Sequence, residues 1–324
     1  MILTGTSCMI DISAVIVNWN TKQFLIECID SLIKNTKKHS IEIIVVDNAS
    51  VDDSVEAVRK LFPFVKVIQN TSNLGFAKAN NIGIKESSGR YVCLVNSDIK
   101  LVNDAIDLMI HHMDEHASIG VLGPKTLNPD MSLRLNCRRL PSLWNTFCQA
   151  SGLSRIFPQY KTMNDNLMTY FPHDVIKSVD ILPGCFLMVR RKALSEVGLL
   201  DEKFFIYGED KDWCKRFKEA GWKIIFFPSA EVIHYAGKSS EKEPDRFIIE
   251  KLKANLYYWE KHHNKISKGI FWITTLVSYL FRLLHNIILY FRLPAERNKN
   301  VLLIKERILC LRWLIRNRPK VEDM

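Results

Sequence analysis

Short apolar runs alternate with amphipathic stretches over the first hundred residues. Apolar residues recur at helical spacing from Phe24 to Leu32, and Ala77–Glu86 predicts a second, shorter helix. Four apolar runs have the length of buried parallel strands: Ser13–Val17, Ile41–Val46, Val65–Gln69 and Tyr91–Val95. Strands and helices that alternate in this way predict an α/β domain with a mostly parallel, doubly wound sheet. Ligands of such sheets bind at the carboxyl ends of the strands.

The pattern is more mixed after Asp98. Asn128, Pro129 and Asp130 predict the turn of a hairpin, and the stretch from Ser151 to Ser178 has no clear period. We expect that stretch to be a lid or an acceptor loop, because long loops without a pattern are usually functional or disordered. The remaining predicted elements are helices near Asp104–Glu115, Arg191–Val197 and Glu209–Ala220, and strands near Ile181–Val189 and Phe226–Ile233.

Two apolar runs lie near the C-terminus. Ile270–Phe281 and Leu283–Phe291 are separated by Arg282, and each is shorter than the about 20 residues that cross a bilayer. Read as one segment they are long enough, but Arg282 would then lie near the bilayer centre at a cost of roughly 2.5–3.5 kcal/mol. We therefore expect a tail that rests on the membrane, with a spanning helix or a packed helical hairpin as the alternatives.

The helix predicted after Pro294 mixes apolar and basic residues, which is typical of an interfacial helix on anionic lipid. The charge distribution supports this interpretation. Residues 261–324 contain 13 Lys and Arg against four Asp and Glu, and so hold +9 of the chain's net charge of +10. Basic residues beside apolar runs favour an anionic membrane surface as the partner and argue against nucleic acid.

Length and composition indicate a folded protein. A chain of 324 residues, 47% hydrophobic and 25% charged, can form one large domain with an appendage. Its eight cysteines never occur as C-x-x-C, which excludes a zinc ribbon and a thioredoxin-type pair and suggests apolar fillers in a reducing compartment. The segment Met1–Asp11 lacks the features of a secretory signal, so we expect exposure to the cytoplasm.

Polar residues stand where the predicted strands end. Asn18, Trp19 and Asn20 follow the first strand, Asp47 follows the second, and Asn96 and Asp98 follow the fourth. A carboxylate at such a position can accept hydrogen bonds from a base or ribose, and an aromatic ring can stack on a base. Each residue alone is equally consistent with a helix cap, a turn or a core position.

Asp98 also has the chemistry of a metal ligand. Carboxylate and amide oxygens suit Mg²⁺ or Mn²⁺ on a diphosphate, and an imidazole favours Mn²⁺ slightly. His234, at the end of the last predicted strand, is the candidate imidazole. The alternative for His234 is a purely structural histidine.

Three acidic residues begin the helix predicted from Glu209. Glu209, Asp210 and Asp212 lie where the helix dipole stabilises negative charge, so ordinary capping would explain them. The apolar run Phe204–Tyr207 precedes them and would limit access of water. A carboxylate in such surroundings gains basicity and can act as a general base.

Taken in order, the motifs resemble the family 2 glycosyltransferases of GT-A fold, particularly bacterial rhamnosyl- and galactofuranosyltransferases of surface polysaccharide assembly. The resemblance extends from about residue 12 to residue 238 and excludes the C-terminal quarter. The segments that carry it are Ser13–Asn20, Val45–Ser50, Asn73–Gly83, Asn96–Asp98, Gly184–Arg191, Gly208–Arg216 and Pro228–His234.

The resemblance implies a role for each matching residue. Asp210 corresponds to the catalytic base, with Glu209 beside it, and Asp98 and His234 correspond to metal ligands. Asn96 stands where many relatives have an acid, which implies weaker metal binding or a larger role for His234. The residues expected at the donor nucleotide are Trp19, Asn20, Asp47, Asn73 and Asn96.

The expected protein is thus a GT-A nucleotide-sugar-binding domain over residues 10–262 with a membrane-associated helical tail over 263–324. It would use Mg²⁺ or Mn²⁺ to transfer a sugar with inversion, rhamnose from dTDP-rhamnose being the first candidate, to a lipid-linked saccharide. Its place would be the cytoplasmic face of the plasma membrane, peripheral or monotopic. The rivals are a glycoside hydrolase, which needs no nucleotide site, and a non-catalytic scaffold of the same fold, which Asn96 favours.

Overall fold

The computed structural model of the protein describes residues 10–238 and 240–318, which form two compact units. The first unit runs up to Leu140 and includes Phe171–Phe205 and Glu209–Lys242. The second comprises Pro141–Tyr170, Ile206–Gly208 and the chain from Glu243 onward. The predicted division into 10–262 and 263–324 stays a prediction. Residues 1–9, which include Cys8 and most of the segment Met1–Asp11, lie outside the described residues. The same holds for the charged residues Lys320, Glu322 and Asp323.

All strands belong to the first unit. They are β1 (Ile12–Asn18), β2 (Ile41–Asp47), β3 (Lys66–Gln69), β4 (Tyr91–Asn96), β5 (Ile99–Leu101), β6 (Ile119–Leu127), β7 (Leu133–Arg134), β8 (Lys177–Ser178), β9 (Phe186–Arg190) and β10 (Lys223–His234). The helices of the first unit are α1 (Lys22–Asn35), α2 (Ser54–Leu61), α3 (Phe76–Lys85), α4 (Ala105–Glu115), α8 (Arg191–Val197) and α9 (Glu209–Glu219). Those of the second are α5 (Leu143–Ser151), α6 (Leu153–Ile156), α7 (Lys161–Asn164), α10 (Pro244–His262), α11 (Lys265–Arg292) and α12 (Arg297–Arg316). Short 3-10 turns occur at Ser240–Lys242 and Pro294–Glu296.

The strands form one sheet in the order β3-β2-β1-β4-β9-β6-β10-β5, with β7 paired to β6 and β8 to β10. Strands β3, β2, β1 and β4 are parallel, as the alternating pattern predicts. Strand β9 is antiparallel to both β4 and β6, and β10 returns parallel to β6. The sheet is therefore parallel in its first half and mixed in its second.

Helices cover both faces of the sheet, which explains why its strands are apolar without alternation. Ile43 and Val45 of β2 face one side, in a core that includes residues of α1, α2 and α4. Ile44 and Val46 face the other side and pack with Ala79 of α3. In a strand that is covered on both faces, every buried apolar side chain stabilises the folded state.

The predicted elements are confirmed with small shifts. The first four strands and the helices that begin at Arg191 and Glu209 agree with the structure to within a residue or two. The strand predicted at Ile181–Val189 is shorter and begins at Phe186. The stretch from Ser151 to Ser178 contains α6, α7 and the two-residue β8, so it is a chain of short turns of helix with one strand pairing. The seven described cysteines are free and buried, as apolar fillers would be.

The second unit is helical and corrects one prediction. The two apolar runs on either side of Arg282 belong to a single helix, α11, of 28 residues. The guanidinium of Arg282 lies 5.9 Å from the ring centroid of Tyr279, so the charge is accommodated without a break in the helix. By length and composition alone, α11 is long and apolar enough to cross a membrane.

Helices α11 and α12 form a hairpin, the arrangement expected from one of the alternatives for the tail. Its core joins Leu252 of α10 to Cys310 and Leu314 of α12, with Trp272 of α11 packed against them. The amide of Asn286 donates to Asn300 inside the hairpin over 3.3 Å. The opposite side of α11 keeps a row of exposed apolar residues at helical spacing: Ile266, Ile270, Ile273, Val277, Leu280, Phe281, Leu284, Ile288 and Phe291.

Gly83→Ala should destabilise the first unit by about 1–3 kcal/mol, the usual effect of overpacking. A Cβ atom at residue 83 would lie 2.3 Å from Cγ1 of Val15, so α3 could not keep its close approach to β1. Urea unfolding measures the loss. The control is Lys85→Ala, an exposed position of the same helix, which should change stability by less than about 0.5 kcal/mol. If Gly83→Ala is as stable as Lys85→Ala, α3 can move away from β1 without loss of stability, and the prediction is wrong.

Candidate active site

The carboxyl ends of three parallel strands bring the predicted polar residues together. Asn18, the last residue of β1, is in register with Asp47, the last residue of β2. On the other side of β1, Val17 is in register with Asn96, the last residue of β4. Because parallel strands end at the same edge of a sheet, these side chains gather there without any special loop geometry.

A buried hydrogen-bond network fixes the carboxylate of Asp47. Nδ2 of Asn18 donates to Asp47 over 2.8 Å, and the Ser50 backbone N–H donates to the other carboxylate oxygen over 2.9 Å. Oδ1 of Asn18 accepts from Thr21, whose hydroxyl lies 2.7 Å from that of Ser97. Asp47 is therefore a carboxylate held in one orientation, which is what recognition of a ribose or base requires.

An open cleft of about 470 Å³ lies beside Asp47 at the ends of β2 and β3. Its lining residues are Ala49, Ser50, Val51, Gln69, Asn70 and Thr71. The amide of Asn70 donates to Oδ1 of Asn48 over 2.9 Å, which ties the end of β3 to the loop after β2. The two sides of the cleft are thus joined by a hydrogen bond.

The other predicted donor residues surround or shape this region. Asn20 has a positive φ of 54°, and its side chain accepts from the Val51 N–H over 2.7 Å. Trp19, between Asn18 and Asn20, is partly buried. Oδ1 of Asn73 accepts from the Gly75 N–H over 3.0 Å, so Asn73 shapes the loop before α3.

Asn96, Asp98 and His234 come together from three positions of the chain. Oδ1 of Asp98 lies 3.2 Å from Nε2 of His234, and Nδ2 of Asn96 lies 3.4 Å from the same nitrogen. The antiparallel register of His234 with Ile99 explains this proximity, since β5 follows directly after Asp98. Asn96 therefore lies in the same group of side chains as Asp98 and His234. Its amide oxygen is buried without a hydrogen-bond partner in the described structure.

The charge of His234 is set by its neighbours. Burial would lower the pKa of His234, but the Cys185 side chain and the Asp98 carboxylate raise it to about 10. The imidazole therefore carries a proton at neutral pH. A carboxylate, an imidazole and an amide oxygen without a partner are a donor set that fits a divalent cation, which would displace that proton.

Glu209 and Asp210 begin α9, and the two differ in environment. Oδ2 of Asp210 accepts from the Gly184 N–H over 3.1 Å, and Oδ1 accepts from the Lys211 N–H over 2.7 Å. Burial lowers the pKa of the partly buried guanidinium of Arg138, and the nearby charge of Asp210 opposes this shift. Asp210 is thus an oriented carboxylate with donors on both oxygens.

Glu209 is buried, and its Oε2 atom has no hydrogen-bond partner among the described residues. Burial, reinforced by the charge of Asp210, raises the pKa of Glu209 well above its ordinary value. A buried carboxyl with a raised pKa, next to a carboxyl that accepts hydrogen bonds from two N–H groups, is a pair typical of acid–base sites.

Asp212 has a structural role. It is fully buried and pairs with Arg216 over 2.9 Å. Arg216 in turn donates to the backbone oxygens of Val197 and Leu199, so the pair holds α9 against the end of α8. Of the three acids at the start of α9, Asp210 stays the predicted base.

The loop before α3 contacts the segment before α9. The Phe76 N–H donates to the Phe205 oxygen over 2.6 Å. Gly75 has a φ of +85°, and a Cβ atom there would lie 2.4 Å from the same oxygen. Only glycine allows this approach. Gly75 of the Asn73–Gly83 motif therefore joins the loop before α3 to the segment before α9.

Thr21, Ser97, Asn70 and Arg138 belong to the site but are absent from the sequence-based assignments. Asn70 directly follows β3, so the strand-end rule that selected Asp47 would have found it as well. Thr21 and Ser97 lie within three residues of strand ends. Arg138 follows no strand or motif, and no pattern in the sequence indicates its proximity to Asp210.

Comparisons with known proteins show which family and fold the chain resembles. The sequence profile described as "Glycosyl transferase family 2" matches residues 13–198, and that of "Glycosyl transferase family group 2" matches residues 131–315. An N-acetylglucosaminyl-diphospho-decaprenol L-rhamnosyltransferase of Mycobacterium tuberculosis is 27% identical over 238 residues, 69% of this chain and 76% of the relative. The dTDP-rhamnosyl transferase RfbF of Shigella flexneri is 27% identical over 239 residues, 72% of this chain and 71% of the relative.

Two solved structures share the fold. A mannosyltransferase from Pyrobaculum calidifontis in complex with GDP-Man and Mn²⁺ has a TM-score of 0.55 at 13% identity and covers 96% of this chain and 88% of its own. GalNAc-T7 with UDP, GalNAc and Mn²⁺ has a TM-score of 0.53 at 18% identity, and the match covers 78% of this chain and half of the GalNAc-T7 chain. The GT-A fold predicted from the motifs is thereby confirmed.

Glu209→Gln should flatten the pH dependence of the unfolding free energy at pH values above the ordinary pKa of a glutamate side chain. The raised pKa keeps Glu209 protonated in the folded protein at pH values where the unfolded chain has released that proton. The folded state then binds more protons, so stability falls as the pH rises through this range. Glutamine resembles the neutral acid and removes that loss. Urea unfolding at several pH values measures it.

The matched control is Glu219→Gln, which neutralises an exposed carboxylate at the other end of α9. It should keep the slope of the parent protein. A Glu209→Gln variant whose stability still falls with pH as steeply as the parent's would refute a neutral Glu209.

Proposed function

Because the chain belongs to glycosyl transferase family 2, we propose that it moves one sugar from a nucleoside-diphosphate donor to a hydroxyl group of a saccharide acceptor, with inversion at the anomeric carbon. The donor is a deoxythymidine-linked sugar, dTDP-rhamnose first, and the acceptor is a saccharide on a lipid diphosphate. The product belongs to a surface polysaccharide such as an O-antigen or capsule.

One observation carries the proposal. Hydrogen bonds of two consecutive residues, Gly184 and Cys185, connect Asp210 to the group of Asn96, Asp98 and His234. The Asn96 N–H donates to the Cys185 oxygen over 2.8 Å, and the preceding residue, Gly184, donates to Asp210 over 3.1 Å. The Asn96, Asp98 and His234 group is therefore adjacent to the start of α9. A group that accommodates a diphosphate and a base that faces an acceptor must be neighbours for a single displacement.

The reaction needs one base and one leaving group. Asp210 accepts the proton of the acceptor hydroxyl as its oxygen attacks the anomeric carbon from the face opposite the diphosphate. The bond from the anomeric carbon to the diphosphate oxygen breaks, and the nucleoside diphosphate leaves with that electron pair. A single displacement inverts the configuration.

Asp98 and His234, with the amide oxygen of Asn96, would hold the Mg²⁺ or Mn²⁺ ion. When bound, the metal supplies positive charge that stabilises the departing diphosphate. The oriented carboxylate of Asp47 would accept hydrogen bonds from the nucleoside, and the cleft at the ends of β2 and β3 would contain the base. Trp19 and Asn20 flank that position from the end of β1.

The donor and acceptor are proposed from the relatives. One of the two rhamnosyltransferases is named for a dTDP-linked donor, and the other for a decaprenol diphosphate acceptor. A non-catalytic scaffold of the same fold is the second candidate, because Asn96 removes one charge from the metal group. The two differ in one measurable property, the release of nucleoside diphosphate on addition of donor and metal.

Asp210→Asn should lower the rate of sugar transfer by roughly 10²- to 10⁴-fold, the range of general-base catalysis, while donor binding is retained. The change keeps the shape and the hydrogen bond from Gly184 but cannot accept the acceptor's proton. Nucleoside diphosphate released from dTDP-rhamnose measures the rate, and the parent activity should disappear in excess chelator and return with Mn²⁺.

The control is Asp174→Asn, which neutralises an exposed carboxylate of the first unit and should leave the rate unchanged. Transfer by Asp210→Asn at the parental rate would exclude Asp210 as the base. A parent protein that binds donor but never releases nucleoside diphosphate, with any metal, would favour the scaffold.

The tail would place the second unit on the cytoplasmic leaflet, close to the lipid-linked acceptor. Helix α11, with 28 residues, is about 42 Å long at 1.5 Å per residue, and no polar side chain interrupts the spacing of its exposed apolar row. The other side of α11 packs on α12, which bears Lys305, Arg307, Arg312 and Arg316. A helix tied to such a partner fits an interfacial position better than a spanning one, because spanning would bring basic residues into the bilayer.

Phe281→Glu should weaken binding to vesicles that contain anionic lipid by at least about tenfold, since burying a phenylalanine contributes about 1.5–3 kcal/mol. Phe281 is 66% exposed on the apolar row. Sedimentation of the protein with phosphatidylglycerol vesicles at low salt measures the affinity.

Phe64→Glu is the matched control. Phe64 lies in the first unit and is 68% exposed, and its substitution changes the charge by the same amount. It should bind vesicles as the parent does. Equal binding by the parent and Phe281→Glu would refute the assignment of this face to lipid, and recovery of the parent only in detergent would favour a spanning α11.

A further inference from the structure

A cluster of three metal-ligating side chains lies at the C-terminal end of α4, outside the active site. His112, Glu115 and His116 each offer one ligand atom, and these atoms lie within 4.8 Å of one another. His112 and His116 are one helical turn apart, and their ring centroids are 4.3 Å apart. Two imidazoles and a carboxylate at this spacing are the donors that Zn²⁺ prefers.

The structure orients both imidazoles. Nδ1 of His116 lies 2.9 Å from the His112 backbone oxygen, and because that oxygen can only accept, Nδ1 is the donor. The free lone pair of a neutral His116 is therefore on Nε2, where a metal can bind. The His112 ring stacks on Phe227 of β10 with a centroid distance of 4.6 Å and an interplanar angle of 18°, which limits its rotation.

Closure around an ion requires only small movements. In a tetrahedral zinc site with bonds of about 2.0–2.1 Å, neighbouring ligand atoms are about 3.4 Å apart. Glu115 and His116 are exposed, so rotation of their side chains can supply the difference from 4.8 Å. Three protein ligands leave the fourth position to water.

The local electrostatics favour a cation. The C-terminal end of a helix carries partial negative charge from its free carbonyl groups. His116 is the residue that follows α4, so the cluster occupies this end. The carboxylate of Glu115 also lies 3.4 Å from Nε2 of His111, which shows that it already faces a positively charged partner when His111 is protonated.

We propose that His112, Glu115 and His116 form a second metal site that binds Zn²⁺ and clamps the end of α4 to the sheet through the stacking of His112 on Phe227. The site is separate from the active site. His116 precedes β6 and its backbone oxygen accepts from Ile119, so it stands at the amino end of a strand that runs parallel to β4. The groups of the active site lie at the carboxyl ends, on the opposite edge of the sheet.

His116→Gln tests the site in the full-length protein. Zn²⁺ is titrated calorimetrically in excess Mg²⁺, which prefers oxygen ligands and does not compete for imidazole. The parent should bind one more zinc ion than His116→Gln, or bind it at least about tenfold more tightly, since even the loss of a residue that only supports a ligand costs about that much. Zinc should raise the melting temperature of the parent by more than that of the variant, which keeps the Asp98 and His234 group.

His111→Gln is the matched control. It removes a neighbouring exposed histidine of the same helix and frees Glu115 from its partner, so zinc binding should be kept or strengthened. Glu115→Gln should weaken binding as His116→Gln does. The melting temperature without zinc shows that each variant is folded. Zinc binding that is the same in the parent, His116→Gln and Glu115→Gln would overturn the proposal, as would its loss in His111→Gln alone.

Discussion

The pairing of β4 with β9 is the constraint on which the rest of the site depends. Strand β9 enters the sheet antiparallel to β4, so the backbone of Cys185 is hydrogen-bonded to Asn96 at the carboxyl edge. The residues just before β9 then face the residues just after β4. The preceding residue, Gly184, donates to Asp210, and a Cβ atom at that position would lie 3.3 Å from the ring of Phe76. Two segments that are almost ninety residues apart in sequence are thereby brought to one place.

The fold and half of the site follow from local patterns. The strands β1, β2 and β4 are apolar throughout because both faces are covered, and their polar ends meet at one edge because they are parallel. Asp47, Asn96 and Asp98 could therefore be placed together from sequence. His234 is predicted as a metal ligand from its position at the end of a strand and from the family resemblance. The pairing of β10 with β5, which brings it next to Asp98, is not contained in any local pattern.

The differences from expectation have physical causes. Arg282 divided the tail into two runs because a charge inside an apolar segment is costly in lipid, whereas in the structure the ring of Tyr279 and a packed hairpin accommodate it. The local pattern could not separate Asp212 from Asp210, since both begin the same helix, and only the family resemblance pointed to Asp210. Only the contact with Arg216 distinguishes the structural acid from the oriented one.

The position of β9 between β4 and β6 also has a consequence for the order of folding. Strands β4 and β6, which β9 separates, are much closer to each other in sequence than to β9. Both make hydrogen bonds to β9, which begins some sixty residues after β6 ends. Until β9 emerges from the ribosome, the inner edges of β4 and β6 have unpaired N–H and C=O groups, the kind of edge that invites pairing with other chains. Closing such long loops also makes folding slow. The sheet is therefore completed only after β9 has been synthesised, and until then its two halves are open to pairing with other chains.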